Sequence, residues 1–220
     1  GTTTTIGTTG RLEMSATYTN NGTTNVDGAF QLDQGAWATG NALKYGSNGT
    51  LIFNNSSGLY GVNNDAFWPT TDPPINVTVQ NAGGITMNVA RTVTGMFTLA
   101  GSGSNMIQGT ALTLNGITRI NGSNFQTVPT YGSSSLLQYN TTYGTYNEWT
   151  GGGNSNPTAG SGVPANVEVL SGTLSLGADR GVPGNVTVNS GATLNLNAGD
   201  LYLGGNFTQN GTLTNNNKAV

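Results

Sequence analysis

The sequence lacks two residue types on which much of protein chemistry depends. Among its 220 residues there is no cysteine and no histidine. Without cysteine, neither disulfides nor thiolate metal sites can form. Without histidine, the commonest metal ligand and the usual general base are missing. The side chains left for acid–base chemistry are chiefly carboxylates.

Charge is also scarce, since only 7% of the residues are charged and the net charge is −3, whereas a typical globular domain has about 25% charged residues. Nucleic-acid binding requires a basic stripe, which six scattered Lys and Arg residues cannot supply. No run of about 20 apolar residues is present, as a membrane-spanning helix would need. We therefore expect neither a nucleic-acid partner nor a membrane span.

What the chain does contain is repetition. Residues 162–169 (GVPANVEV) recur as residues 181–188 (GVPGNVTV), 19 positions later, and a third related unit occupies residues 201–208 (LYLGGNFT). A period near 20 residues, built from short alternating strands and Gly/Asn turns, is typical of a β-solenoid. The sequence predicts an all-β, parallel β-solenoid (β-helix) of about ten coils, roughly 50 Å long at ~4.8 Å per coil, with almost no helix.

The sequence also contains a second, longer repeat. Residues 45–54 match residues 131–140 at an offset of 86, and each match leads to a tryptophan, Trp68 or Trp149. We interpret residues 1–220 as one solenoid domain with N-terminal coils (1–44), a first repeat half (45–130) and a second repeat half (131–220). Each half contains a Trp-bearing loop excursion, which we expect to pack back onto the solenoid wall.

The inward side chains follow from the alternation of each strand, in which residues two apart point the same way. Between strands, Gly and Asn supply the corners, because they tolerate or stabilise turn conformations. The predicted core rungs are Val77, Val79, Val167, Val169, Val186, Val188, Leu194 and Leu196.

These motifs resemble the repeats of very large surface proteins of Bacteroidota, which are exported through type IX secretion and serve as adhesins or surface fibres. The resemblance covers residues 45–100 and 131–213 and rests on the Tyr-Gly-Ser opening, the tryptophan, and the Gly-Val-Pro-x-Asn-Val-x-Val motif. It implies a parallel β-solenoid, an extracellular location at the bacterial cell surface, and a structural or adhesive role without a shared active site. The C-terminal sorting domain usual in such proteins is not part of this sequence.

The two ends of the chain also match each other, residues 12–23 against residues 201–212. We interpret this as a chain that begins and stops in similar coils and has no obvious cap. Because an open solenoid end exposes strand edges, we expect either a fragment of a longer protein or a subunit that stacks end to end. The partners would then be copies of the chain or neighbouring repeats.

Carboxylates are the candidates for chemistry. Asp65 and Glu148 sit near the two excursions and would form a catalytic pair only if the excursions stack, so solvated charge on a polar face is the default interpretation for the acids. Asp65 and Asp72 are weak candidates for calcium, which binds oxygen ligands, with turn chemistry as the alternative. We expect no catalytic residue, no cofactor and no enzyme activity, and a polysaccharide-active enzyme is the less favoured hypothesis.

Two binding hypotheses remain from the sequence. Trp68, Trp149, Tyr60 and Tyr146 would offer flat rings for stacking against surface glycans, although covering their own loops is the favoured interpretation. Outward threonines suggest ice binding, but the array is interrupted: the threonines are Thr78, Thr86, Thr94 and Thr187, and the interruptions are Glu168 and Asn195. The leading hypothesis is a structural module that forms or extends an extracellular fibre, and the alternative is a carbohydrate-binding adhesin domain.

Overall fold

The structure is a computed structural model, and it describes residues 1–103 and 106–220. In chain order the strands are β1 (Thr3–Ile6), β2 (Arg11–Met14), β3 (Thr17–Asn20), β4 (Thr23–Val26), β5 (Ala29–Asp33), β6 (Trp37–Gly40), β7 (Lys44–Tyr45), β8 (Thr50–Asn54), β9 (Leu59–Val62), β10 (Asn76–Gln80), β11 (Gly84–Met87), β12 (Thr92–Val93), β13 (Met96–Leu99), β14 (Ile107–Gly109), β15 (Thr113–Leu114), β16 (Ile117–Ile120), β17 (Thr130–Tyr131), β18 (Leu136–Asn140), β19 (Tyr143–Gly144), β20 (Asn166–Ser171), β21 (Thr173–Ser175), β22 (Arg180–Val182), β23 (Val186–Val188), β24 (Thr193–Asn195), β25 (Leu201–Leu203), β26 (Phe207–Gln209) and β27 (Thr212–Thr214). The described residues form no helix.

The strands stack as a parallel β-solenoid of about ten turns, as the sequence predicts. One sheet of ten strands, here called side one, runs along the whole molecule in the order β2-β5-β8-β10-β13-β16-β18-β20-β23-β26. All of its neighbouring strands are parallel. The other strands form side two (β3-β6, β9-β11-β14, β19-β21-β24-β27) and side three (β1-β4-β7, β12-β15-β17, β22-β25).

The core lies between these sides and follows the predicted alternation. All eight predicted core rungs are at most 2% exposed, which confirms the register. One buried apolar cluster extends from Ile6 to Leu201. At ~25 cal/mol per Å² of buried apolar area, this continuous column supplies most of the favourable folding free energy.

The two excursions explain why side three is interrupted. Its sheets break between β7 and β12 and again between β17 and β22. Trp68 lies in the first gap and Trp149 in the second, and both are fully buried. In these two turns the tryptophan therefore closes the core where other turns have a third strand.

Tyr45 and Tyr131, which are 86 residues apart, occupy equivalent positions in the fold. Tyr45 ends β7 and Tyr131 ends β17, and each hydroxyl donates to the carbonyl of the residue before a tryptophan. The acceptors are Phe67 (2.7 Å) and Glu148 (2.8 Å).

The match between the two chain ends does not correspond to equivalent positions, so this part of the interpretation is wrong. Residues 12–14 lie in β2 on side one, whereas residues 201–203 lie in β25 on side three. The short alternating pattern recurs on every side of the coil, so local similarity alone does not identify the side.

Candidate functional site

The first excursion is closed by aromatic packing. The Phe67 ring lies edge-on to Phe53 with centroids 6.1 Å apart, and edge-on to Tyr60 at 5.8 Å. Trp37 stacks on Tyr60 at 5.3 Å, and the Tyr60 hydroxyl donates to the Ala36 carbonyl. Tyr60 is only 7% exposed. This loop is thus held by ring contacts and area burial.

The second excursion is built around a buried carboxylate. Glu148 has no exposed surface and accepts hydrogen bonds from three groups of the same segment. The donors are the Tyr139 hydroxyl (3.0 Å), the Tyr146 backbone N–H (3.0 Å) and the Tyr143 hydroxyl (3.4 Å). The default interpretation of solvated charge is therefore wrong for Glu148, because the loop folds over it and supplies its donors.

Burial is the main cause of the pKa shifts in this cluster. Desolvation raises the pKa of Glu148 above its usual value, although the hydrogen bonds and Arg180 act in the opposite direction. Desolvation, reinforced by Glu148, also raises the pKa values of Tyr139 and Tyr143. The pKa of Arg180 is lowered, again chiefly by burial. Burial thus works against the charged forms of Glu148, Tyr139, Tyr143 and Arg180.

The two tryptophans differ in how their indole N–H groups are used. Trp149 Nε1 donates to the Gly181 carbonyl at 3.1 Å. Trp68 Nε1 is buried and finds no hydrogen-bond partner among the described residues. Since both indoles are fully buried, neither ring has a face available to a sugar.

Of the four aromatic residues predicted as a sugar platform, Tyr146 is the one that is exposed, at 52%. It lies at a cavity of about 300 Å³ that Tyr143, Thr142 and Ser123 also line. The Tyr143 and Tyr146 rings meet at 72° with centroids 5.4 Å apart. We call this the tyrosine cavity.

The candidate carboxylates for calcium or catalysis are held by separate partners. Asp65 pairs with Arg91 at 2.6 Å, so a guanidinium already compensates its charge. Asp72 has a φ of 55°, and its carbonyl accepts the Tyr45 N–H at 3.0 Å, which is turn chemistry. Within the described ranges, no three Asp, Glu, His or Cys residues form a metal-binding group. Nothing in this geometry favours calcium.

The outer face of side one carries a polar ladder in place of a regular threonine array. Thr78 and Thr98 are in register on adjacent strands, but three longer residues (Arg119, Gln138 and Glu168) continue the row. Arg119 donates to Gln138 at 3.0 Å and Gln138 to Glu168 at 2.8 Å. These side chains interrupt the flat hydroxyl surface that ice binding needs, and Thr86 lies on side two, in β11.

Sequence reasoning missed Tyr143, Ser123 and Arg180. A signal for the polar cluster was present in the repeat: the residue before the tryptophan is Phe67 in the first half and Glu148 in the second. An acid at the position of a core aromatic indicates a buried, hydrogen-bonded carboxylate.

Comparisons with protein-family models, curated proteins and solved structures gave no significant match. No helix in the described part of the chain is long and apolar enough to cross a membrane.

Proposed function

We propose that this chain is a structural module of an extracellular bacterial surface fibre, and that its role is mechanical rather than enzymatic. The observation that carries the proposal is the unbroken side-one sheet, which links all ten turns by parallel hydrogen-bonded strands. Such a ladder supplies length and resistance to proteolysis, because few backbone groups are left unpaired along its course. The resemblance to Bacteroidota surface repeats supports the location at the cell surface and export by type IX secretion.

The packing of the interior supports a mechanical role. Apolar side chains stack in register from turn to turn, for example Leu51, Val77 and Phe97 on successive side-one strands. All three are fully buried. Each turn packs on the next, so stability accumulates along the axis instead of in one central core.

The terminal turns support end-to-end assembly. Strand β2 pairs only with β5, and β26 only with β23, within the described residues. Leu12 and Met14 at one end, and Phe207 and Leu213 at the other, are only partly buried against the core. A cavity of about 560 Å³ beside Leu203 and Phe207 also opens at the second end. We propose that the terminal turn of a second copy covers this edge by parallel strand pairing.

Sedimentation velocity across a concentration series tests this assembly. The wild-type chain is expected to form species that lengthen with concentration, whereas Phe207→Lys, which places a charge on the open edge, stays monomeric. Thr94→Lys, an exposed position in the middle of the stack, is the matched control and should assemble like wild type. A wild-type chain that stays monomeric at every concentration would contradict pairing between copies and would favour covering by neighbouring repeats of a longer chain.

A further inference from the structure

We propose that the tyrosine cavity is a binding site for an uncharged saccharide. It lies on the second excursion and is lined by Ser123, Thr142, Tyr143 and Tyr146, with the backbone of Gly103 and Gly144. The proposal is independent of fibre assembly, because the cavity lies away from the open edges β2 and β26.

The first argument is the aromatic surface. Tyr146 is 52% exposed and is one of three large apolar side chains that are open to solvent in the described part of the chain, with Leu59 and Val220. Unlike Leu59, it lies in a concave site, beside a second tyrosine ring at 72°, whereas Val220 lines the separate cavity at the open second end. A pyranose ring has an apolar face of C–H groups and an edge of hydroxyls. Two rings at nearly a right angle fit both, one under the C–H face and one beside the edge.

The second argument is the character of the cavity wall. Its lining in the described part of the chain is hydroxyl, amide, glycine and tyrosine, without a charged side chain. The nearest cation of the cluster, Arg180, is directed elsewhere: it donates to the Thr145 hydroxyl (3.2 Å) and to the Asp179 carbonyl (3.0 Å). Anionic ligands are recognised by Arg and Lys, so the wall favours a neutral sugar.

The third argument is the rigid support of Tyr146. Its backbone N–H is bound by the buried Glu148 carboxylate at 3.0 Å. The preceding residue, Thr145, donates its N–H to the Ser175 carbonyl at 3.0 Å, and its hydroxyl accepts from Gly177 N–H at 3.1 Å. An exposed ring on a fixed backbone loses little freedom on binding, which favours affinity. This gives the buried Glu148 a role: it is a positioning residue for the platform.

The fourth argument is Ser123. Its φ is 64°, a conformation that non-glycine residues other than Asn and Asp rarely adopt. The other non-glycine residues with positive φ in the described chain are all Asp or Asn. The buried Ser123 Oγ also has no hydrogen-bond partner among the described residues. A strained backbone with an unsatisfied buried hydroxyl beside a cavity is typical of a functional site.

Affinity electrophoresis tests the proposal with the purified chain in gels that contain one soluble polysaccharide each. The neutral probes are mixed-linkage β-glucan, xyloglucan, galactomannan, arabinoxylan and dextran, and the anionic probe is polygalacturonate. We expect retardation by at least one neutral probe and none by polygalacturonate. Tyr146→Ala should weaken that binding at least about tenfold, and Tyr146→Phe, which keeps the ring, should recover most of the loss.

Leu59→Ala is the matched control, because Leu59 is also a large exposed side chain (43%) but lies outside the cavity. It should bind like wild type. The proposal is overturned if no neutral probe retards the chain, if Tyr146→Ala binds as tightly as wild type, or if polygalacturonate binds through Tyr146. Because the cavity lies away from the open edges β2 and β26, failure of this assay would leave the sedimentation result unaffected.

Discussion

In the first excursion the ring of Phe53 meets the ring of Phe67 edge-on. At the corresponding positions of the second excursion, Tyr139 donates a hydrogen bond to Glu148 at 3.0 Å. The two excursions are otherwise alike. Each follows a tyrosine at the end of a side-three strand, and each contains a buried tryptophan and interrupts the strands of side three. The same place in the coil is therefore closed once by apolar packing and once by a polar cluster.

The two excursions also differ in how far their tyrosines are exposed at the surface. Tyr60 and Tyr146 align in the sequence repeat, but the structure places Tyr143 in β19 at the side-two position that Tyr60 has in β9, and Tyr146 follows that strand. Tyr60 is 7% exposed and Tyr146 is 52% exposed. In the first half, Trp37 and Phe67 cover Tyr60. In the second half, the Glu148 carboxylate holds the backbone of Tyr146 and its ring is free at one side. The polar cluster thus holds an exposed tyrosine in place just after the side-two strand.

The largest expected effect comes from removing either tryptophan. Trp68→Ala and Trp149→Ala should each lower the free energy of unfolding by about 3–5 kcal/mol, because each vacates a buried site that substitutes for a strand. Chemical denaturation measures both. Tyr146→Ala, at an exposed position, is the control and should change stability by less than about 0.5 kcal/mol. A small loss for one tryptophan alone would show that the two excursions do not play equivalent structural roles.

A double-mutant cycle separates the polar cluster from its apolar counterpart. Glu148→Leu leaves the buried Tyr139 hydroxyl without its acceptor and should cost about 1–3 kcal/mol. Adding Tyr139→Phe should recover part of this loss, so that the double variant falls short of the sum of the single effects by about 0.5–3 kcal/mol.

The reciprocal change in the first half is Phe53→Tyr. It introduces a buried hydroxyl beside the Phe67 ring, which offers no hydrogen-bond acceptor, and should cost about 1–3 kcal/mol. Additive effects in the cycle, or a neutral Phe53→Tyr, would contradict the assigned difference between the two halves.

The pH dependence of stability should also distinguish the halves. Burial raises the pKa of Glu148 in the folded state above its ordinary value of 4.5, so the folded chain binds the proton more tightly than the unfolded chain. The stabilising contribution of the protonated carboxyl is complete below pH 4.5 and is lost as pH rises through the folded pKa, by at most about 1.4 kcal/mol per pH unit.

Urea denaturation of wild type and Glu148→Gln from pH 4 upwards measures this contribution as a difference. The groups that face Glu148 are Tyr131, Tyr139, Tyr143 and Arg180. The variant should lose the component of the pH slope that begins near 4.5, because Gln does not titrate. Parallel curves for the two proteins over the whole range would show that Glu148 ionises normally.

The smallest expected effect separates the two indole N–H groups. Trp149→Phe removes the bond to Gly181, whereas Trp68→Phe removes a buried N–H without a partner in the described chain. Both lose ring volume, but Trp149→Phe should be more destabilising by about 1 kcal/mol. Equal losses in calorimetry would mean that the Trp149 hydrogen bond contributes nothing net.

Much of the fold was predictable because its signals are local and repeated. The alternation of Val186, Thr187 and Val188 fixes which side chains point inward, and the Gly/Asn corners fix where strands end. The match between Tyr45 and Tyr131 predicted that these two residues are equivalent, and each hydroxyl does donate to the carbonyl of the residue before a tryptophan. The comparison of residues 12–23 with residues 201–212 failed because strands on all sides share one short pattern.

The site was less predictable because it depends on contacts across turns. Trp68, Trp149 and Tyr60 are suitable for sugar stacking by residue type, but their burial is set by neighbours in adjacent turns. Tyr143 and Ser123 line the cavity from separate turns of the solenoid, and no local sequence pattern predicts that they lie together. The burial of Glu148 depends on the loop that closes over it, although its alignment with Phe67 was a usable signal.

Cryo-electron microscopy of the assembled chain tests the central claim, that this solenoid is a module of a continuous fibre, most directly. The account predicts filaments in which turns spaced ~4.8 Å apart run unbroken from one chain into the next, with β26 of one copy beside β2 of another. Discrete rods of about ten turns, with both edges free at every concentration, would contradict the assembly and leave the tyrosine cavity as the functional surface.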